Sequence, residues 1–402
     1  MTNIAGSIDP DLLVRARGLH KKGPLIDGHN DLPWQYQKRV GRALSKIDVG
    51  RSQPDLHTDI PRLREGGVGG QFWSVFVSTD LPPGDFVQAT VEQIDLVYNL
   101  LQRYPGTFQL ALTADDVEAA FEAGKIASLI GMEGGHSIGS SLATLRMFYR
   151  LGARYMTLTH NKNVPWADSC TDTPQANGLT DFGREVVREM NRLGMLVDLS
   201  HVSAETMHDA LDASEAPIIF SHSSARAVTD HPRNAPDDVL RRLPDNGGVI
   251  MANFVPAFVS QEVYEHSQRR DTERHRLQGS PDSSDASVDE GLRRWDEDNS
   301  APRAALKDVA DHIDHIRSVA GVDYIGLGAD FDGITTVPVG LEDVSTYPLL
   351  TAELIRREYD DQDILKILGG NVLRVMREVE AKAASLQRDR APSEALIEDV
   401  DG

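Results

Sequence analysis

Residues 24–34 read PLIDGHNDLPW. Leu25 and Ile26 lead straight into Asp27, His29 and Asp31. Side chains alternate along a strand, so His29 and Asp31 are expected on one side of a buried strand as it reaches the surface. An imidazole nitrogen and a carboxylate oxygen placed there form half of a metal site. Two solvated residues at a capped strand end would read the same way, so the rest of the chain has to decide.

Seven further apolar runs follow, at 71–78, 127–131, 154–158, 195–199, 217–220, 248–254 and 324–328. Helical patterns separate most of them. Residues 86–104 repeat Val87, Val91, Ile94, Val97 and Leu101 at helical spacing. In 180–194, Thr180 can cap a helix, Phe182, Val186, Met190 and Leu193 form its stripe, and Gly194 stops it. Strand and helix in alternation imply a parallel sheet. Eight units point to a closed (β/α)8 TIM-like barrel, with an open doubly wound sheet as the alternative. The polar residues favour the barrel. His29, Asp31, Glu133, His160, His201, His222 and Asp330 each sit at or just past the C-terminal end of an apolar run. A barrel gathers those ends into one ring, whereas an open sheet spreads them along a line.

The 402-residue chain is expected to form a single barrel domain over 1–402. A polar segment near 261–291 reads as a surface insertion, and the acidic tail from about 388 reads as frayed. At 40% hydrophobic and 26% charged residues the composition supports a large core. A formal charge of -21 argues against nucleic acid or an anionic membrane as partner. No window is apolar enough to span a bilayer. The N-terminal residues lack the layout of a signal peptide. Cys170 is the one cysteine, so no intrachain disulfide forms. These features lead us to expect a cytoplasmic protein, with a homo-oligomer left open.

His201 lies in VDLSHVS and His222 in IIFSHSS, each one small residue beyond an apolar run. Glu133 lies in GMEGG. A carboxylate buried there is costly unless it is paired or bound to cations. Nitrogen and oxygen ligands without cysteine suit zinc, and also manganese, iron or cobalt. Five ligands exceed one open tetrahedral site but suit two metals about 3.5–4 Å apart. We place His29 and Asp31 on one metal, His201 and His222 on the other, and Glu133 between them. His160, in LTHN, is a ligand, a carbonyl-polarising group or a structural residue. Asp330 is preferred over Asp332 as the group reaching the nucleophile, because it is nearer its strand end. Arg233, in HPRN, is either a surface arginine or a cation above the metals.

In order along the chain, HNDLPW, GMEGG, LTHN, PWADS, VDLSHVS, FSHSSAR, HPRN and GADFDG resemble the renal or membrane dipeptidases, metallopeptidases on an amidohydrolase-type barrel. The resemblance implies a distorted barrel with two zinc ions per chain, on His29, Asp31, Glu133, His201 and His222. It implies a polarising role for His160, a substrate-carboxylate role for Arg233 and proton transfer by Asp330. The expected reaction is hydrolysis of dipeptides, including those ending in a D-residue, by a zinc-bridging hydroxide. Lactone, β-lactam or N-acyl amino acid hydrolysis on the same barrel, or metal-dependent binding without catalysis, are the alternatives.

Overall fold

The computed structural model describes residues 9–280 and 283–402. Nine strands appear among them: β1 (Leu25–Asn30), β2 (Val68–Phe76), β3 (Phe108–Leu110), β4 (Ile126–Glu133), β5 (Ala153–Thr157), β6 (Leu196–Asp198), β7 (Ile219–Phe220), β8 (Val249–Ala252) and β9 (Ile325–Leu327). Every strand pairing is parallel. β1 pairs with both β2 and β9, and β2 pairs with β4, which closes an eight-stranded ring. The fold is therefore a (β/α)8 barrel, and each run read as a strand lies in its wall.

The ninth strand distorts the ring. β3 pairs with the start of β4, at Ile126–Ser128, while β5 pairs with its end, at Ile130–Met132. Two strands thus share one edge of β4 at different heights. The helix behind β3, Ala114–Glu122, opens on a capping box between Thr113 and Asp116.

Barrel strands are covered on both faces, which is why they read as continuous apolar runs. All residues of β1, β4 and β8 are buried. Ile26, Phe72, Leu129, Tyr155, Ile219 and Met251 belong to one buried cluster, and a larger one links the strands to the surrounding helices. Thr180 caps Asp181–Leu193 by accepting the Gly183 N–H, and Gly194 ends that helix at φ 88°, as its sequence suggests.

The described part of the segment near 261–291 contributes to a pair of mutually packed helices, Gln261–Gln278 and Asp285–Asp298. Few apolar residues are needed between them. Val288 and Leu292 are buried, and Leu277 lies close against Gly291, where a side chain would collide with it. The outer faces carry pairs such as Arg276–Glu273 and Arg294–Glu290, which support helix without leaving an apolar stripe. Beyond Asn371–Asp389 the tail, read as frayed from its composition, carries a short helix, Ile397–Val400. Asp401 accepts from Thr180 Oγ1 at 2.6 Å and from the Phe182 N–H at 2.9 Å. No described helix is long and apolar enough to cross a membrane.

Candidate active site

The C-terminal ends of β1, β4, β6, β7 and β9, with the loop after β5, converge on Glu133. Glu133 Oε1 lies 3.1 Å from His201 Nε2 and 3.6 Å from both His160 Nε2 and His222 Nε2. Its other oxygen, Oε2, lies 3.5 Å from His29 Nε2 and accepts from Ser74 Oγ at 3.1 Å. His29 Nε2 is 3.2 Å from Asp31 Oδ2. The two oxygens of Glu133 therefore face two different groups of side chains.

Asp31 reaches the site one residue beyond the strand, on the same side as His29. β1 ends at Asn30, with an irregular register after Asp27. Asp31 occupies the N-cap position of the helix Leu32–Val40, yet its side chain makes no capping hydrogen bond. Asn30 Oδ1 instead accepts the Leu32 N–H at 2.9 Å, and Pro33 follows in the first turn. The Asp31 N–H still donates to the Phe331 carbonyl at 2.9 Å, in line with the parallel ladder, and the Asp31 side chain stays on the His29 side while the helix begins just beyond it.

His201 and Asp330 both adopt left-handed backbone conformations, at φ 68° and 65°. Such geometry in residues other than glycine is uncommon and concentrates where function over-determines the backbone. Asp330 lies with His29 and Asp31 in one cluster whose ligand atoms fall within 4.8 Å of one another. Burial pushes its carboxyl well above the usual range, and Asp31 and Glu133 push it further against His29. Asp332 is engaged elsewhere. Its Oδ1 accepts the His57 N–H at 2.8 Å, and its own N–H donates to His57 Nδ1 at 3.0 Å.

The donor set suits cations. Burial holds His201 and His222 well below the ordinary imidazole range, so both are neutral with a lone pair to give. Their Nε2 atoms lie 3.0 Å apart. Donors about 2.0–2.1 Å from one ion sit about 2.9–3.4 Å apart, and the separations here are of that size. His29 Nε2 makes no aligned hydrogen bond despite its two carboxylate neighbours. Burial opposes charge on His29, but Tyr155, Glu133 and Asp31 outweigh it and draw the ring well above its usual range. Burial likewise opposes charge on Glu133, but His29, His160 and His201 keep it ionised. Positive charge is wanted between these groups.

Supporting residues orient the rings. His29 Nδ1 meets Tyr155 Oη at 2.8 Å. His222 Nδ1 meets Ser221 Oγ at 2.8 Å, and Ser221 Oγ donates to Asp198 Oδ2 at 2.6 Å. Such partners fix the tautomer and direction of a metal-binding histidine. Tyr155, Ser221 and Asp198 escape sequence reading because they lie inside or beside apolar runs. Gly131 makes room for the Tyr155 ring, since a Cβ on it would collide with three ring atoms.

A cavity of about 340 Å³ opens above this centre, walled by Trp34, Phe76, Val255, Phe258 and Ile334 and reached by Asp31, Glu133, His160, His201, Arg233 and Asp330. Arg233 is only 2% exposed. Its partners are weak: Ser223 Oγ and the His222 carbonyl, each at 3.4 Å. Its Nε has none, and no carboxylate pairs with it among the described residues. The structure thus brings together every residue expected at the site and leaves one buried cation without an anion.

Residues 13–390 match the family described as Membrane dipeptidase (Peptidase family M19). The chain belongs to this metallopeptidase family. Among solved members of the fold, the probable dipeptidase PvdM from Pseudomonas aeruginosa superposes with a TM-score of 0.82 at 26% identity, covering 93% of this chain and 100% of that one. A metallo peptidase from Rhodobacter sphaeroides, liganded with a phosphinate mimic of the dipeptide L-Ala-D-Ala, gives 0.72 at 25% identity, over 89% of this chain and 99% of its own. An amidohydrolase from Pseudomonas aeruginosa shares the fold at 22% identity, with a TM-score of 0.69. As expected of the M19 family, the metal-binding residue types cluster at the C-terminal face of the barrel.

Proposed function

We propose that this chain hydrolyses the peptide bond of dipeptides, tolerates a D-residue at the C-terminal position, and works in the cytoplasm with two zinc ions. His29 and Asp31 would hold one ion, His201 and His222 the other, with Glu133 shared. Bound there, the ions would acidify water toward neutral pH and polarise a carbonyl.

The observation that carries the reading is Arg233. A buried guanidinium without an anion is costly, and a substrate carboxylate supplies the missing partner. A peptidase confined to dipeptides must read a free carboxylate one residue beyond the bond it cuts. Arg233 and the ligand cluster share one cavity, as that task requires. His160, beside Glu133, donates a hydrogen bond to the carbonyl oxygen as it gains charge. Asp330 accepts a proton from the attacking water and delivers it to the leaving amine. The dipeptide mimic seen in the Rhodobacter sphaeroides relative supports a D-residue at the second position.

The test is a panel of dipeptides of defined stereochemistry, with tripeptides and C-terminally amidated dipeptides as controls, assayed on zinc-loaded protein. Turnover confined to free dipeptides, both L,L and L,D, is expected. Equal turnover of amidated dipeptides, or activity toward lactones alone, overturns the reading.

A further inference from the structure

Arg233 is not the only unusual group at its end of the cavity. His231 also lines it, two residues earlier in the same loop. The ring is tightly held. It lies tilted against Phe258, at 4.3 Å between centroids, and meets the edge of Tyr264 at 4.6 Å. Tyr264 belongs to the helix Gln261–Gln278, so the helical pair on the surface fastens this side chain. Arg233 lies over the same Phe258 ring, 5.2 Å from its centroid.

One hydrogen bond fixes the tautomer. The Arg233 backbone N–H donates to His231 Nδ1 at 3.1 Å. Nδ1 must therefore carry a lone pair, and in a neutral ring the proton sits on Nε2. Burial, with Arg233 and Arg226 adding to it, pushes the imidazole down to about 3, so the ring is neutral in ordinary buffers. Among the described residues, no protein acceptor meets Nε2.

We infer that His231 is a second binding residue for the terminal carboxylate of the substrate, donating a hydrogen bond from Nε2 beside Arg233. The inference rests on the reading of Arg233 given above. A cation alone attracts any electron-rich group. A fixed neutral N–H beside it demands an acceptor, and a carboxylate offers two oxygens that can meet both donors. A C-terminal amide would turn its own N–H₂ toward one of them. His231 thus makes the site selective for a free C-terminus, and the aromatic clamp holds the donor in place before substrate arrives.

His231→Asn tests this directly. Its Oδ1 can still accept the Arg233 N–H, but nothing replaces the Nε2 donor. We expect KM for a free dipeptide to rise about tenfold or more, as for loss of a hydrogen bond to a charged group. We expect kcat to stay close to wild type, discrimination against the amidated dipeptide to shrink, and the melting temperature to fall modestly as the aromatic contacts are lost. His231→Gln, which restores a donor near Nε2, should recover most of the affinity. Equal damage to free and amidated substrates, or an unchanged KM, overturns the inference. Arg233→Met in the same assay separates the two levels. Carboxylate selectivity lost there but intact in His231→Asn sinks His231 alone, while selectivity intact in both sinks the reading of Arg233 as well. A measurement on wild type does not depend on any variant being purified for kinetics. The His231 Nε2–H proton resonance should move downfield when alanine is added, and a signal indifferent to alanine also overturns the inference.

Discussion

Gly131→Ala adds one methyl group on a strand and should weaken metal binding through a residue that touches no metal. Gly131 pairs with Ser74 on β2 and with Tyr155 on β5. A Cβ at this position meets three atoms of the Tyr155 ring at sub-van der Waals range. Tyr155 is fully buried, so its ring cannot swing into solvent. Either the strands part or the ring shifts, and overpacking of this kind costs about 1–3 kcal/mol. A shifted ring carries its hydroxyl away from His29 Nδ1, the 2.8 Å contact that orients the imidazole. Loss of such an outer partner typically lowers metal affinity by about 10–100-fold. The assay is competition with a chelator, followed by zinc analysis and a melting curve. Tyr155→Phe removes the hydroxyl without the methyl and should reproduce the affinity loss. Adding Gly131→Ala to Tyr155→Phe should lower the melting temperature further but cost little more affinity, because the contact is already gone. Wild-type zinc affinity in folded Gly131→Ala, or a full additive loss in the double variant, refutes the coupling.

Glu133→Ala should abolish tight binding of both ions, since its two oxygens face separate ligand groups; elemental analysis that still finds two per chain would rule out a shared ligand. Asp330→Asn should keep its metal and lose kcat by ~10²–10⁴, the range of acid–base groups, while Asp332→Asn should retain most of its turnover. Steady-state rates on metal-replete protein distinguish these outcomes. Acid should weaken the fold through His20, which burial lowers to about 4 and whose nitrogens meet the Gly66 carbonyl and Thr351 Oγ1. The unfolded ring binds its proton near 6.5, so His20 contributes fully above that pH and its contribution is lost as pH falls from 6.5 to 4, about 3 kcal/mol in all. Denaturant melts across that window should be steeper for wild type than for His20→Gln.

The eight barrel strands were legible because burial on both faces leaves apolar runs that few other structures produce. The clustered site residues were legible for a related reason: His201 and His222 stand just past those runs, where a closed ring gathers its ends. β3 was not, because three residues, FQL, give no period, and its place is set by the exposed edge of β4. The helices of 261–298 were hidden by their polar faces, which stabilise helix through ion pairs instead of an apolar stripe. Tyr155 was illegible for a third reason. It meets His29 across 126 positions of sequence, through a register that exists only once the barrel closes. Asp31 was found by strand alternation, although the helix that starts just beyond it was not read from the sequence.

That helix start has a consequence of its own. A carboxylate at an N-cap is ordinarily claimed by the amides just beyond it. Here the first amide is taken by Asn30, and the second position is a proline, which has no amide to offer. Only Trp34 remains as a rival for Asp31. The short run N-D-L-P thus narrows a contest between two uses of one carboxylate before any ion arrives. Exchange of Pro33 for a residue with an N–H would reopen the contest: the helix would gain a cap at the expense of the metal, and local folding and metal binding would begin to oppose each other.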